Sequence, residues 1–275
     1  MSSPESRATR FDRDTAVERV DDHRFDARID RGWWIAAGPN GGYVTAILLR
    51  ALQEAVGDAE RLPRSLTVHF TSPPREGAAE VHTATERSGG RLTTASARMT
   101  QDGRLLALAV GAFSRPRTAD RFQHDRPPEV ARFDALPVWE RPPALRIEFQ
   151  DRWELRPCIG AMPRHGAASA ETGGWIRPAE RQPLDPFLLA AVTDAWPPAV
   201  FAMLDEDAPS MAVPTIELTI HFRASADEIA ATGDRPLLCR FRTRTAADGF
   251  IEEDGEVWNE DGTLLAQCRQ LAVLI

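Results

Sequence analysis

The chain has no lysine: all 33 of its basic residues are arginine. Lysine Schiff-base chemistry and a P-loop lysine are therefore excluded. Of the basic side chains only arginine, a good bidentate phosphate ligand, is left to hold a phosphorylated anion. Cysteine is sparse, and Cys158, Cys239 and Cys268 lie too far apart for a CxxC pair; no disulfide framework is expected. The six histidines are scattered without a ligand pair, so no metal or redox cofactor is expected. No apolar run approaches the roughly 20 residues of a membrane helix. Met1 to Asp14 is polar and charged, without the apolar stretch of a secretory signal. These shortages imply a reducing cytoplasm and no membrane span. The formal charge of −8 speaks against nucleic acid as a partner.

What is present has an ordinary globular balance, 43% hydrophobic and 27% charged. At 275 residues the chain suits one large domain or two of about 100 to 150 residues. An internal repeat decides for two. Leu66-Thr67-Val68-His69-Phe70 recurs as Leu218-Thr219-Ile220-His221-Phe222, a shift of 152. Asp102-Gly103-Arg104-Leu105-Leu106-Ala107 recurs as Asp261-Gly262-Thr263-Leu264-Leu265-Ala266, a shift of 159. The difference of 7 places one insertion between Phe222 and Gly249. A solenoid repeat would run at about 20 to 50 residues, so the spacing indicates a duplicated domain. Ser114 to Arg146 is rich in proline, including Pro116, Pro127, Pro137, Pro142 and Pro143, and reads as a connection crossing the surface. The expected boundaries are 1–115, a linker 116–146, and 147–275.

Each half repeats one order. Extended aromatic segments come first: Phe25 to Ile35, then Phe149 to Leu155 with Gly173 to Ile176. A helix follows, Tyr43 to Val56 with Asn40 as N-cap and Gly57 as stop, and Phe187 to Trp196 with Asp185 as cap and Pro186 in the first turn. Alternating strands come next, and Asp102-Gly103 and Asp261-Gly262 each join two of them in a hairpin. A helix covered by antiparallel strands is an α+β unit. Two such units can pair their sheets into one surface. His69 and His221 sit on the polar face of equivalent strands and read as structural.

Residues polar in only one copy are candidates for chemistry. Asp194 falls opposite Gly42 under the first shift and on the helical face of Phe187, Ala190 and Ala191. A carboxylate there is costly unless partnered; a structural bond to a strand or an arginine is the alternative to a catalytic role. Thr215, opposite Pro63, precedes the repeated strand, where threonine commonly serves only as a β-former. Gln270, opposite Gly111, is the strongly polar side chain on a face shared with Leu264, Ala266, Cys268 and Ala272, and must find partners. Together they supply an anionic acceptor, a hydroxyl and an amide, enough to orient one water.

The ordered set Val192-Thr193-Asp194-Ala195, Thr215 to Phe222 and Leu265 to Gln270 resembles the double hot-dog acyl-CoA thioesterases of the thioesterase II type. Trp33-Trp34 and Pro39-Asn40-Gly41-Gly42-Tyr43 resemble that family's Trp and Gly-Gly helix start. The resemblance implies two tandem hot-dog folds, each an antiparallel sheet wrapped around a central helix, paired into a double hot-dog. It implies an acyl-CoA substrate, a place in lipid metabolism, and a water held by Asp194, Thr215 and Gln270 in the C-terminal half. Asn40, Gly41 and Gly42 are expected to bind substrate, their backbone N–H groups receiving the oxyanion. The acyl chain is expected in the apolar seam between helices and sheet, and the exposed sheet faces suggest a homo-oligomer. A non-catalytic acyl-CoA binder and a hot-dog hydratase are the alternatives; no histidine lies within five residues of Asp194, which disfavours the hydratase. Pro197-Pro198 and Arg164 to Gly174 depart from the family pattern.

Overall fold

The computed structural model describes residues 8–35, 38–140, 147–209 and 211–275. Pro142 and Pro143 lie outside them, as do the first seven residues. The first half contains helix α1 (Arg10–Asp14), strands β1 (Val17–Arg19) and β2 (Arg24–Ile29), helix α2 (Gly41–Val56), and strands β3 (Leu62–Phe70), β4 (Gly77–Ser88), β5 (Leu92–Gln101) and β6 (Arg104–Ser114). The second half has β7 (Trp153–Gly160), β8 (Ala170–Pro178), helix α3 (Pro186–Val192), β9 (Thr215–Phe222), helix α4 (Ala226–Thr232), β10 (Leu237–Thr243), the short β11 (Ala246–Ala247), β12 (Phe250–Trp258) and β13 (Leu264–Val273).

The strands form one antiparallel sheet in the order β1-β2-β4-β5-β6-β3-β9-β13-β12-β10-β8-β7, with β11 beside β12. Read outward from the middle, the two halves of this order match strand for strand. The repeated motif supplies the join: β3 pairs with β9, Leu66 opposite Ile220 and Thr67 opposite Thr219. Thr67 and Thr219 share a hydroxyl hydrogen bond of 2.9 Å, so the pseudo-twofold passes between them. The result is an α+β double hot-dog. One apolar core runs through both halves, from Ile47, Leu48 and Leu52 of α2 to Leu189, Ala190 and Ala191 of α3. Fully burying a Leu or Ile side chain contributes about 1.5–3 kcal/mol, so the shared core ties the halves together. Among the described residues no helix is long and apolar enough to cross a membrane.

Local chemistry explains most element limits. Asn40 caps α2 by accepting the Tyr43 N–H, and Gly57 ends it at φ 65°, where a Cβ would be strained. Asp102 and Gly103 turn the β5–β6 hairpin with φ 51° and 75°, the paired positive angles of a type I′ turn. The insertion between the repeats is occupied by the seven-residue helix α4, opened by a Ser225–Glu228 capping box.

Three expectations need correction. The segment Phe25 to Ile35 is not extended throughout: β2 stops at Ile29, and Asp30 accepts the Gly32 N–H to start a 3-10 turn at Arg31–Trp33. Phe149 likewise falls in a 3-10 turn, Glu148–Arg152, before β7 begins. The helix expected from Phe187 to Trp196 ends at Val192. Pro197 and Pro198 have no N–H to give the carbonyls of Thr193 and Asp194, so the helix cannot continue through them. Within the described part of the Pro-rich connection, Phe133 packs with Trp175, Leu238 and Trp258 into a second small core. That core lies on the sheet face away from α3, since Leu238 alternates with Leu237 and Cys239 of the main core.

Candidate active site

The early end of α3 makes the site. The carbonyls left over by the two prolines are taken by side chains: Cys268 Sγ donates to Thr193 O at 3.5 Å, and Asn40 Nδ2 to Asp194 O at 2.7 Å. Asp194 therefore lies not on the helical face of Phe187 and Ala190 but just past the helix end, in a turn where its N–H bonds Ala191 O at 3.3 Å. Nor is it the structural counterpart of Gly42. The N-caps Asn40 and Asp185 correspond at a shift of 145, which sets Asp194 opposite Leu49. The second half lengthens the path from cap to strand and breaks its helix at the aspartate.

On the sheet side, Gln270 of β13 is 6% exposed, and Thr215 opens β9. Thr215 Oγ1 donates to Gln270 Oε1 at 2.8 Å, and Gln270 Nε2 donates to Asp194 Oδ1 at 2.9 Å. The hydroxyl and the carboxylate at its two ends fix the orientation of the Gln270 amide. Alternation along β13 points Gln270 inward with Cys268 and Ala272, while Arg269 and Leu271 face out.

The first half closes the site. Asn40 accepts the Tyr43 N–H with Oδ1 and donates with Nδ2 to Asp194 Oδ2 at 2.9 Å. Gly42 N–H donates to the same oxygen at 2.9 Å. Both glycines stand where a side chain would collide. A Cβ on Gly42 would lie 2.5 Å from Ala191 O, and one on Gly41 2.9 Å from Asp194 Oδ2. The Gly42 N–H, expected to receive an oxyanion, is thus already donated to Asp194. Asn40, Gly41 and Gly42 hold the carboxylate.

Of the six candidate site residues, Asn40, Gly41, Gly42 and Gln270 donate to the Asp194 carboxylate, and Thr215 reaches it through Gln270. Burial pushes the Asp194 pKa up, while hydrogen bonds from Gln270, Gly42, Gly41 and Asn40 pull it down; the net shift is upward. Asp194 is only partly buried as a residue, while its carboxylate is enclosed by these donors.

Residues 125–274 match the C-terminal domain of acyl-CoA thioesterases, and residues 30–114 match the N-terminal domain. The chain belongs to the acyl-CoA thioesterase family. A hot-dog protein of unknown function from Alicyclobacillus acidocaldarius is similar at TM-score 0.87, with 26% identity and 98% of each chain covered. A proposed thioesterase II from Thermobifida fusca is similar at TM-score 0.78 and 26% identity, covering 97% of this chain and 98% of that one. The thioesterase-like protein TwmA of Talaromyces wortmannii is 37% identical over 65 residues, which span 24% of this chain and only 18% of that protein.

In this acyl-CoA thioesterase family member, sequence reasoning missed one buried acid. Glu253 of β12 sits across from Gln270 and is 8% exposed. Burial, the neighbouring Asp194 charge and Glu252 push its pKa up to about 8. The available signal was parity: Ile251, Glu253, Gly255 and Val257 share the buried face of β12. His69 and His221 are exposed on the far side of the β3–β9 join.

Proposed function

We propose that the protein hydrolyses acyl-CoA thioesters to the free acid and coenzyme A, with Asp194, Thr215 and Gln270 holding the attacking water. The observation that carries this reading is the Thr215–Gln270–Asp194 hydrogen-bond chain, which leaves defined valences open. Asp194 Oδ2 is filled by Asn40 and Gly42, with the Gly41 N–H also directed at the carboxylate. Oδ1 receives Gln270, and a carboxylate oxygen accepts about two hydrogen bonds. Thr215 spends its one proton on Gln270 Oε1, so its lone pairs can accept. A water donating to both Asp194 Oδ1 and Thr215 Oγ1 turns a lone pair outward, towards a thioester carbonyl carbon.

As the C–O bond forms, the water proton passes to Asp194 and charge develops on the carbonyl oxygen. The second hydrogen of Gln270 Nε2 is the donor for that oxygen, replacing the expected Gly42 N–H. Collapse breaks the C–S bond, and the proton held by Asp194 goes to the leaving thiolate. The acyl chain lies along the apolar seam between α2, α3 and the sheet.

The test is thiol release from a panel of acyl-CoAs, short, long and aromatic, by wild type and Asp194→Asn. General-base help is typically worth about 10²–10⁴-fold, so the variant is expected to lose at least about a hundredfold in kcat while still binding acyl-CoA. Turnover that survives the substitution would overturn the choice of base. Binding of every acyl-CoA without hydrolysis by wild type would replace the enzyme with a binding protein.

A further inference from the structure

Glu253 is the buried acid that this mechanism leaves unused. It pairs with Gln270 across β12 and β13, and its Oε2 accepts the Ala199 N–H at 2.5 Å. Ala199 opens the 3-10 helix Ala199–Met203, five residues beyond Asp194. One carboxyl group thus ties the strand beside Gln270 to the far end of the loop whose near end carries the proposed base. The groups facing Glu253 are Asp194 from that loop, Glu252 on its own strand and the Cys268 thiol on β13. The arginines nearby serve the opposite face of the sheet: Arg240 and Arg242 pair with Glu256, and Arg244 and Arg269 with Asp254. Among the described residues no cation pairs with Glu253.

Two adjacent buried acids do not both ionise freely, and the donors around them decide which one does. Gln270 Nε2, Asn40 Nδ2 and the N–H groups of Gly42 and Gly41 converge on Asp194. Glu253 receives the single Ala199 N–H. We propose that Glu253 is a positioning residue of this site, carrying the proton of the Asp194–Glu253 pair so that Asp194 alone is charged, and holding the Asp194–Ala199 loop against the strand beside Gln270. Its kinetic consequence rests on the thioesterase reading; the charge arrangement does not. A second negative charge beside Asp194 would oppose the charge that grows on the thioester oxygen. The pKa of about 8 for Glu253 puts that loss on the alkaline side.

Two measurements test this on the full chain. The first follows the Ala199 amide by NMR against pH in wild type and Glu253→Gln. The expected result is a titration centred near 8 in wild type that vanishes in the variant, because the reporting hydrogen bond ends on the ionising group. A midpoint in the ordinary glutamate range, or no titration, would overturn the proposal. The second compares kcat and KM against pH for wild type, Glu253→Gln and Glu253→Ala. Wild type should lose kcat along an alkaline limb matching the amide midpoint, and Glu253→Gln should lack that limb. Glu253→Ala should lose at least about tenfold in kcat with KM little changed, and the glutamine should restore most of it by keeping a neutral acceptor for Ala199. An unchanged alkaline limb in Glu253→Gln would sink the positioning role. Should the amide titrate as expected while no thioester is cleaved, the shared proton stands and the thioesterase reading falls. Glu253→Gln keeps the shape of the side chain, so the outcome does not hang on the folding of Glu253→Ala.

Discussion

Gly42 at the start of α2 gives its N–H to Asp194 at the end of α3, 2.9 Å away. The two central helices of the duplicated chain therefore meet end to start at one carboxylate. The contact works only because position 42 has no side chain. Gly42→Ala would put a methyl 2.5 Å from Ala191 O and 3.1 Å from Asp194 Cβ. Forcing atoms into a packed site costs about 1–3 kcal/mol. The expected result is a lower Tm together with a loss of at least about tenfold in kcat; an alanine variant with wild-type Tm and turnover would show that the close approach has no functional weight.

Asn40 serves its own helix with one end and Asp194 with the other, and substitution separates the two tasks. Asn40→Ala loses both, with about 1 kcal/mol expected from the cap alone. Asn40→Asp keeps the capping oxygen but turns a donor into a second charge against Asp194. Its pH–rate profile should show the acidic limb displaced to higher pH, since a like charge favours the protonated form. Superimposable limbs for the two variants would mean that Asn40 does not tune the carboxylate.

Thr215→Val removes the donor to Gln270 Oε1 and the lone pairs proposed to receive the water. Gln270→Glu keeps the size but replaces the donor to Asp194 Oδ1 with another acid. Both should lower kcat by about 10- to 1000-fold, and the double variant should lose far less than the product of the single losses, because the residues act as a unit. Multiplicative losses would show that they act independently.

Glu253 also makes stability depend on pH. Its pKa stands near 8 in the folded chain against 4.5 for an ordinary glutamate. Between these limits the folded state holds a proton that the unfolded state has released, so stability falls as pH rises. The slope from this one residue is at most about 1.4 kcal/mol per pH unit. Urea unfolding of wild type and Glu253→Gln from pH 5 to 8 should give curves that diverge, wild type losing more. Parallel curves would mean that Glu253 is not buried with its proton.

The features legible in the sequence are those fixed by neighbouring residues. Asn40 as a cap, Gly57 as a stop and Asp102-Gly103 as a turn needed nothing from the rest of the fold. Gln270 could be placed inward because strand parity is local as well. What escaped depends on effects at a distance. Pro197 and Pro198 were plain to see, but their missing N–H groups unseat carbonyls four residues earlier, so α3 stops before Asp194 rather than after it. The Gly42 N–H was expected to be free because its partner lies 152 residues away. Glu253 was hidden in the acidic run Glu252-Glu253-Asp254, where only its parity separates the buried acid from Asp254, which pairs with Arg244 and Arg269, and from Glu252, which accepts the backbone N–H groups of Arg244 and Thr245.

The β3–β9 join has a consequence for how such a site can change. If the two halves were separate identical chains meeting at Thr67 and Thr219, every substitution would appear twice, and the contact would loosen on dilution. Covalent connection holds the local concentration of one half around the other constant, and it lets each half be altered alone. Asn40, Gly41 and Gly42 could specialise as the cradle and Asp194, Thr215 and Gln270 as its contents. A symmetric pair would have had to carry both sets on both sides.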